Sequence, residues 1–136
     1  MRVRYAATVL SAILFGSCLV SGPDEAETIL LGIWGGQHVS MDIQNSSVTI
    51  EYDCAYGAID EPIVLDQRGN FGANGTHVFE FGPIRIDDEP DAHPAFYTGQ
   101  VRGSDLTLMV FLTDTGQKIG PFSLEYGNAG RVYKCL

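Results

Sequence analysis

Three histidines, His38, His77 and His93, are the side chains of this chain whose ordinary pKa lies near neutrality. Each could serve as a general base or a ligand if a carboxylate stood beside it. The carboxylates that stand out in sequence are Asp53, the pair Asp60-Glu61, and the run Asp87-Asp88-Glu89-Pro90-Asp91. Paired acids can do acid–base work, including glycoside cleavage. With 17 Asp and Glu against 8 Lys and Arg, however, close carboxylates arise by chance. The acidic run offers oxygen ligands of the kind calcium takes. It lacks the glycine and the closing glutamate of an EF-hand loop, and it reads as solvated charge. No His-x-His, His-Glu-x-x-His or Cys-x-x-Cys spacing occurs, so no metal site is expected. Ser40, Ser46 and Ser47 have no nucleophile-elbow context. No catalytic residue and no cofactor is assigned.

Side-chain alternation places these groups. His77 alternates with Phe79 and Phe81 and is expected to point inward, most simply as a core histidine bonded to backbone. His38 shares a face with Trp34 on strict alternation, while Val39, Met41 and Ile43 fall on the opposite face. Both sets want the core, so a bulge at Gly35-Gly36 is expected, with His38 turned outside or to a barrel mouth. His93 is expected to be solvated. The residues nominated for binding are Trp34, His38, His77, Phe79 and Phe81.

The elements that must carry them read as strands. Val48, Ile50, Tyr52 and Cys54 share one face, and Thr49, Glu51 and Asp53 the other. Leu106, Leu108, Val110 and Leu112 alternate in the same way, as do Phe122, Leu124 and Tyr126. Turn signals recur at Asn45-Ser46, Tyr56-Gly57, Arg68-Gly69-Asn70, Asn74-Gly75, Gly103-Ser104-Asp105, Asp114-Thr115-Gly116 and Gly127-Asn128. No stretch keeps a helical period. Residues 82–94, with three prolines and four acids, are expected to form the longest loop. The predicted fold is all-β: an antiparallel meander of eight or nine strands closing into a small barrel, with a β-sandwich as the alternative.

The stretch Gly32-Ile33-Trp34-Gly35-Gly36 holds the only tryptophan. An indole is a large apolar plug, and flanking glycines let backbone approach it closely. Gly32-Ile33-Trp34 resembles the Gly-x-Trp strand of lipocalins and related small barrels, a resemblance that implies a Trp closing one barrel end. Over most of its length the chain resembles small exported bacterial proteins that begin Gly-x-Trp-Gly-Gly-x-His and end Lys-Cys-Leu, here Gly32, Trp34, Gly35, Gly36, His38 and Lys134-Cys135-Leu136. That resemblance implies no activity. Tyr52-Asp53-Cys54-Ala55-Tyr56-Gly57 resembles the Tyr-x-Cys-x-x-Gly strand of small periplasmic lysozyme-inhibitor barrels.

The N-terminal residues set the expected compartment. Arg2 and Arg4 precede an apolar run over residues 5–15, the pattern of a secretory signal too short to span a bilayer comfortably. Leu14-Phe15-Gly16-Ser17-Cys18 resembles a bacterial lipobox, which implies a lipid anchor on Cys18. Cleavage after Gly22 is the rival. Residues 1–22 are assigned to the signal, 23–31 to a linker, and 32–136 to one domain. Either processing route leaves Cys54 and Cys135, an even pair expected to form a disulfide in an oxidising compartment.

A formal charge of -9 argues against nucleic acid and anionic lipid as partners. The expected protein is an exported, monomeric envelope protein. Its expected function is to bind a small apolar ligand or a protein partner. The alternatives are an inhibitor of an exported enzyme and a small enzyme using a His/carboxylate pair.

Overall fold

The computed structural model describes Gly16, residues 27–83 and residues 86–135. Apart from Gly16, the signal segment, Cys18 included, therefore lies outside the described residues, as does Leu136. Ten strands follow one another among the described residues: β1 (Glu27–Thr28), β2 (Gly32–Gly36), β3 (Val39–Ile43), β4 (Val48–Tyr52), β5 (Ala55–Ile59), β6 (Val64–Leu65), β7 (Asn70–Phe79), β8 (Asp91–Arg102), β9 (Asp105–Leu112) and β10 (Lys118–Tyr126). Eight of them close an antiparallel up-and-down barrel in the order β2-β3-β4-β5-β7-β8-β9-β10, with β10 returning to β2. β1 and β6 form a separate two-stranded sheet. Closure removes the free edges on which an open sheet would aggregate.

Period-two alternation decides what fills the barrel. Val48, Ile50 and Tyr52 are buried while Thr49 and Glu51 are exposed, and Leu106, Leu108, Val110 and Leu112 are buried along β9. The two ends differ. At one end Ile29, Ile63 and Leu65 are buried around the β1–β6 pair and belong to the same core as Trp34. Trp34 is fully buried, donates its indole N–H to Leu30 O at 2.9 Å, and packs on Tyr126 with ring centroids 5.1 Å apart. Residues 27–31, read from sequence as linker, are thus part of the folded unit. Thr28 pairs with Val64 in the β1–β6 sheet.

The bulge expected at Gly35-Gly36 does not exist. The β2–β3 ladder runs unbroken from Gly32↔Ile43 to Gly36↔Val39 around the two-residue loop Gln37-His38. That hairpin reverses the chain and puts Trp34 opposite Met41 on the inner face, so no register change is needed. The glycines serve close approach instead. A Cβ on Gly35 would lie 2.4 Å from Gly130 N, and one on Gly36 2.0 Å from Ser123 O. Cys54 departs from its expected inward face as well. It sits in the two-residue loop between β4 and β5 with φ of 53°.

Two expected turns are strand interiors. Tyr56-Gly57 lies in β5 and Asn74-Gly75 in β7. Their glycines make room for Tyr97, which is fully buried. A Cβ on Gly57 would lie 2.2 Å from the Tyr97 hydroxyl, and one on Gly75 2.9 Å from its ring. Nor does the loop extend to residue 94. Asp91 to Pro94 form the start of β8, paired with Phe79 to Thr76 of β7. Pairing with β9 begins only at Ala95, so Pro94 lies where β8 has no β9 partner and its missing N–H breaks no ladder bond.

Candidate functional site

The end opposite Trp34 is open. There the loops β2–β3, β4–β5, β7–β8 and β9–β10 surround a cavity of about 500 Å³. Its wall is mostly apolar: Phe79, Phe81, Ile119, Phe122 and Tyr52, with Asp53 and Glu80 at its edge. A volume near this size is typical of small-molecule pockets, which span roughly 300–1,000 Å³.

A shift in strand register supplies two of these side chains. The β9–β10 ladder shifts between Ile119 and Phe122, at Gly120-Pro121. Ile119 opposes Val110 and Phe122 opposes Leu108, both buried. Residues three apart therefore face inward together, which regular alternation forbids. Phe122 packs against Tyr52 with centroids 5.2 Å apart.

His77 stands on the cavity wall and is 1% exposed. Phe79 meets it edge-on at 4.7 Å and Tyr52 lies at 5.2 Å. Neither ring nitrogen has a hydrogen-bond partner. The backbone bond expected from sequence is therefore absent. Burial, and secondarily the His93 imidazole, holds the His77 pKa below its ordinary value. Tyr52 is buried beside it, and its hydroxyl also meets no partner in hydrogen-bond geometry. Burial raises the Tyr52 pKa, and the nearby Tyr97 hydroxyl adds to the shift. Tyr97 itself donates to Thr76 O at 2.7 Å, and burial pushes its pKa up to about 12.

His93 was expected in solvent; β8 brings it across from His77 instead. Its Nδ1 lies 2.7 Å from Asp114 Oδ2 and its Nε2 3.1 Å from Asp91 Oδ1. The bond to Asp114 raises the His93 pKa and lowers that of Asp114. This pairing ties the start of β8 to the β9–β10 turn. No sequence pattern flagged it, because 21 residues separate the partners.

His38 sits at the rim with φ of 66°, a left-handed conformation that histidine tolerates better than most residues. Its Nδ1 lies 2.5 Å from Asp53 Oδ2, and its side chain is 58% exposed. Asp53 Oδ1 accepts the backbone N–H of Tyr133 at 2.7 Å, the main reason its pKa is lowered. Around this pair runs a C-terminal strap. Arg131 N donates to Gly36 O, His38 N to Arg131 O, and Cys54 N to Tyr133 O. Cys54 and Cys135 form a disulfide that closes a separation of 81 residues. Lys134 pairs with Glu51 and, at 2.8 Å, with Glu80. Burial alone would lower the Lys134 pKa, but its two carboxylate partners leave it raised. His38 and Asp53 thus act as a clasp, since the carboxylate is already committed to the strap.

Of the five residues nominated for binding, His38, His77, Phe79 and Phe81 line the mouth cavity; Trp34 does not, lying buried toward the closed end. The cavity also takes Tyr52 and Phe122, which the sequence reading treated only as strand residues, and Ile119, which it did not single out. Among the described residues no cluster of His, Cys, Asp and Glu is arranged to hold a metal ion. No family model, curated protein or solved structure matches this chain.

Proposed function

We propose that this protein is a small exported binding module that takes an apolar ligand at the open end of its barrel. The observation that carries this reading is the mouth cavity of about 500 Å³, walled by aromatic and aliphatic side chains and opposite a plugged end. The disulfide fits an oxidising compartment, as export requires. Anchoring through Cys18 would hold the protein at a membrane surface, with the barrel acting as a monomer.

The test is titration of the purified protein with the uncharged fluorophore N-phenyl-1-naphthylamine. A saturable, one-to-one rise in emission is expected. The double variant Phe79→Ala/Phe122→Ala should weaken it at least tenfold, because two aromatic walls are lost. No saturable signal with the wild type sinks the proposal.

A second reading rests on the β7–β8 loop. Phe81 is 72% exposed and Ile86 wholly so, beside Asp87 and Glu89. An apolar tip on an acidic loop suits insertion into a basic cleft, as an inhibitor of an exported enzyme would require.

A further inference from the structure

We propose that the ligand of the mouth cavity is an alcohol or phenol, an apolar body ending in an uncharged hydroxyl, and that His77 is the residue that reads that hydroxyl. This rests on the binding function proposed above and names its ligand class. The starting observation is a buried imidazole in a largely apolar wall. Both ring nitrogens of His77 are buried with no hydrogen-bond partner; the neighbouring Tyr52 hydroxyl, by contrast, has the Tyr97 hydroxyl near it. Buried polar groups are nearly always satisfied, so two orphaned nitrogens on one cavity wall call for a partner from outside the chain.

The chemistry of the wall selects that partner. A neutral imidazole offers one donor and one acceptor, and a hydroxyl can answer either. Burial keeps His77 neutral, so it is no cationic anchor for an acid. Asp53 and Glu80 stand on the cavity edge, and the whole chain carries -9, so a carboxylate ligand meets negative charge on its way in. Lys134, whose ammonium pairs with Glu80 on this edge, is already held by Glu51 and Glu80. An ammonium would be drawn to that edge but would lose its hydration among Phe79, Phe122 and Ile119, with only single acceptors to replace it. A plain hydrocarbon leaves His77 as it found it. Phe79, half-buried and edge-on to His77, is the ring that the ligand must turn aside.

Displacement of N-phenyl-1-naphthylamine by three ligands of matched body decides the matter: hexylbenzene, 4-hexylphenol and 4-hexylbenzoate at neutral pH. A phenol, with a pKa near 10, stays uncharged there. The expected result is that 4-hexylphenol displaces the dye roughly tenfold more tightly than either of the others, the worth of one buried hydrogen bond. In His77→Phe the ratio of the 4-hexylphenol and hexylbenzene displacement constants should fall to about one, whatever the dye's own affinity for the variant. Equal displacement by hexylbenzene and 4-hexylphenol overturns the proposal, as does preference for the benzoate or a phenol advantage that survives in His77→Phe. Should that variant fail to fold, ring-nitrogen resonances of His77 in the wild type serve instead. They should move on adding 4-hexylphenol and not hexylbenzene; a static pair overturns the assignment. If the dye itself does not bind, the binding function fails and the ligand class falls with it. Dye binding without a phenol advantage removes the ligand class alone.

Discussion

His77 and Tyr97 show how much one interior side chain can decide. His77 is buried with its nitrogens unsatisfied, and its pKa is lowered by burial. The unfolded chain therefore binds a proton that the folded one resists, and stability should fall as pH drops below about 6.5. His77→Phe keeps an aromatic ring there and removes both penalties. Its melting temperature should equal or exceed the wild type's at pH 8, and the margin should widen at pH 5.5 in thermal scans. Tyr97 sets the opposite constraint. Gly57→Ala would drive a methyl into the Tyr97 hydroxyl, 2.2 Å from the new Cβ, and should cost about 1–3 kcal/mol in urea unfolding. The cost should shrink when Gly57→Ala is made in a Tyr97→Phe background, because the offending oxygen has gone. At this scale the sequence was half legible. Alternation placed His77 inward, but it could not reveal that the glycines in β5 and β7 make room for a ring on β8 rather than mark turns.

At the scale of elements the C-terminal strap is the least regular piece and among the most consequential. It crosses the ends of the β2–β3 and β4–β5 hairpins through backbone bonds, the Asp53 carboxylate and the Cys54–Cys135 disulfide. Closing so long a loop is worth roughly 4–5 kcal/mol in the chain-entropy model. Cys54→Ser/Cys135→Ser should lose about that much in urea unfolding. Asp53→Ala should cost only about 1 kcal/mol, because the bonds it loses lie near solvent. Cys135 lines the mouth cavity, so the double cysteine variant should also loosen dye binding. Cysteine arithmetic named the bond, and alternation misplaced one partner. Cys54 belongs to a tight turn, where the strand period no longer applies.

Across the whole molecule the barrel has one sealed and one open end, and its acid–base behaviour follows from that asymmetry. His93 joins β8 to the β9–β10 turn at the open end, and its pKa is raised by Asp114. Its contribution is fully present below the unfolded histidine value of about 6.5 and is lost as pH rises through the folded pKa. Asp114, lowered by the same bond, contributes above about 3.8 and loses its share as pH falls through its own folded pKa. The His93–Asp114 pair therefore contributes most between those limits. The gap in melting temperature between the wild type and His93→Gln should be widest between the folded pKa of Asp114 and the unfolded histidine value of about 6.5, and should close as pH rises through the raised folded pKa of His93.

The sequence by itself determined that the chain is all-β, that eight or so strands form a meander, with a closed barrel ahead of a sandwich, and that Cys54 pairs with Cys135. Those follow from period two, from turn spacing and from an even cysteine count, all of which are local or arithmetic. Only the tertiary structure decided which end is open and what lines it. The register shift at Gly120-Pro121 turns Ile119 and Phe122 inward together. β8 starts early enough to set His93 across from His77. The strap brings Tyr133 to Asp53, 80 positions apart. Each depends on strand register and on the approach of distant backbone, quantities set by the closing of the barrel as a whole and written in no single stretch of the chain.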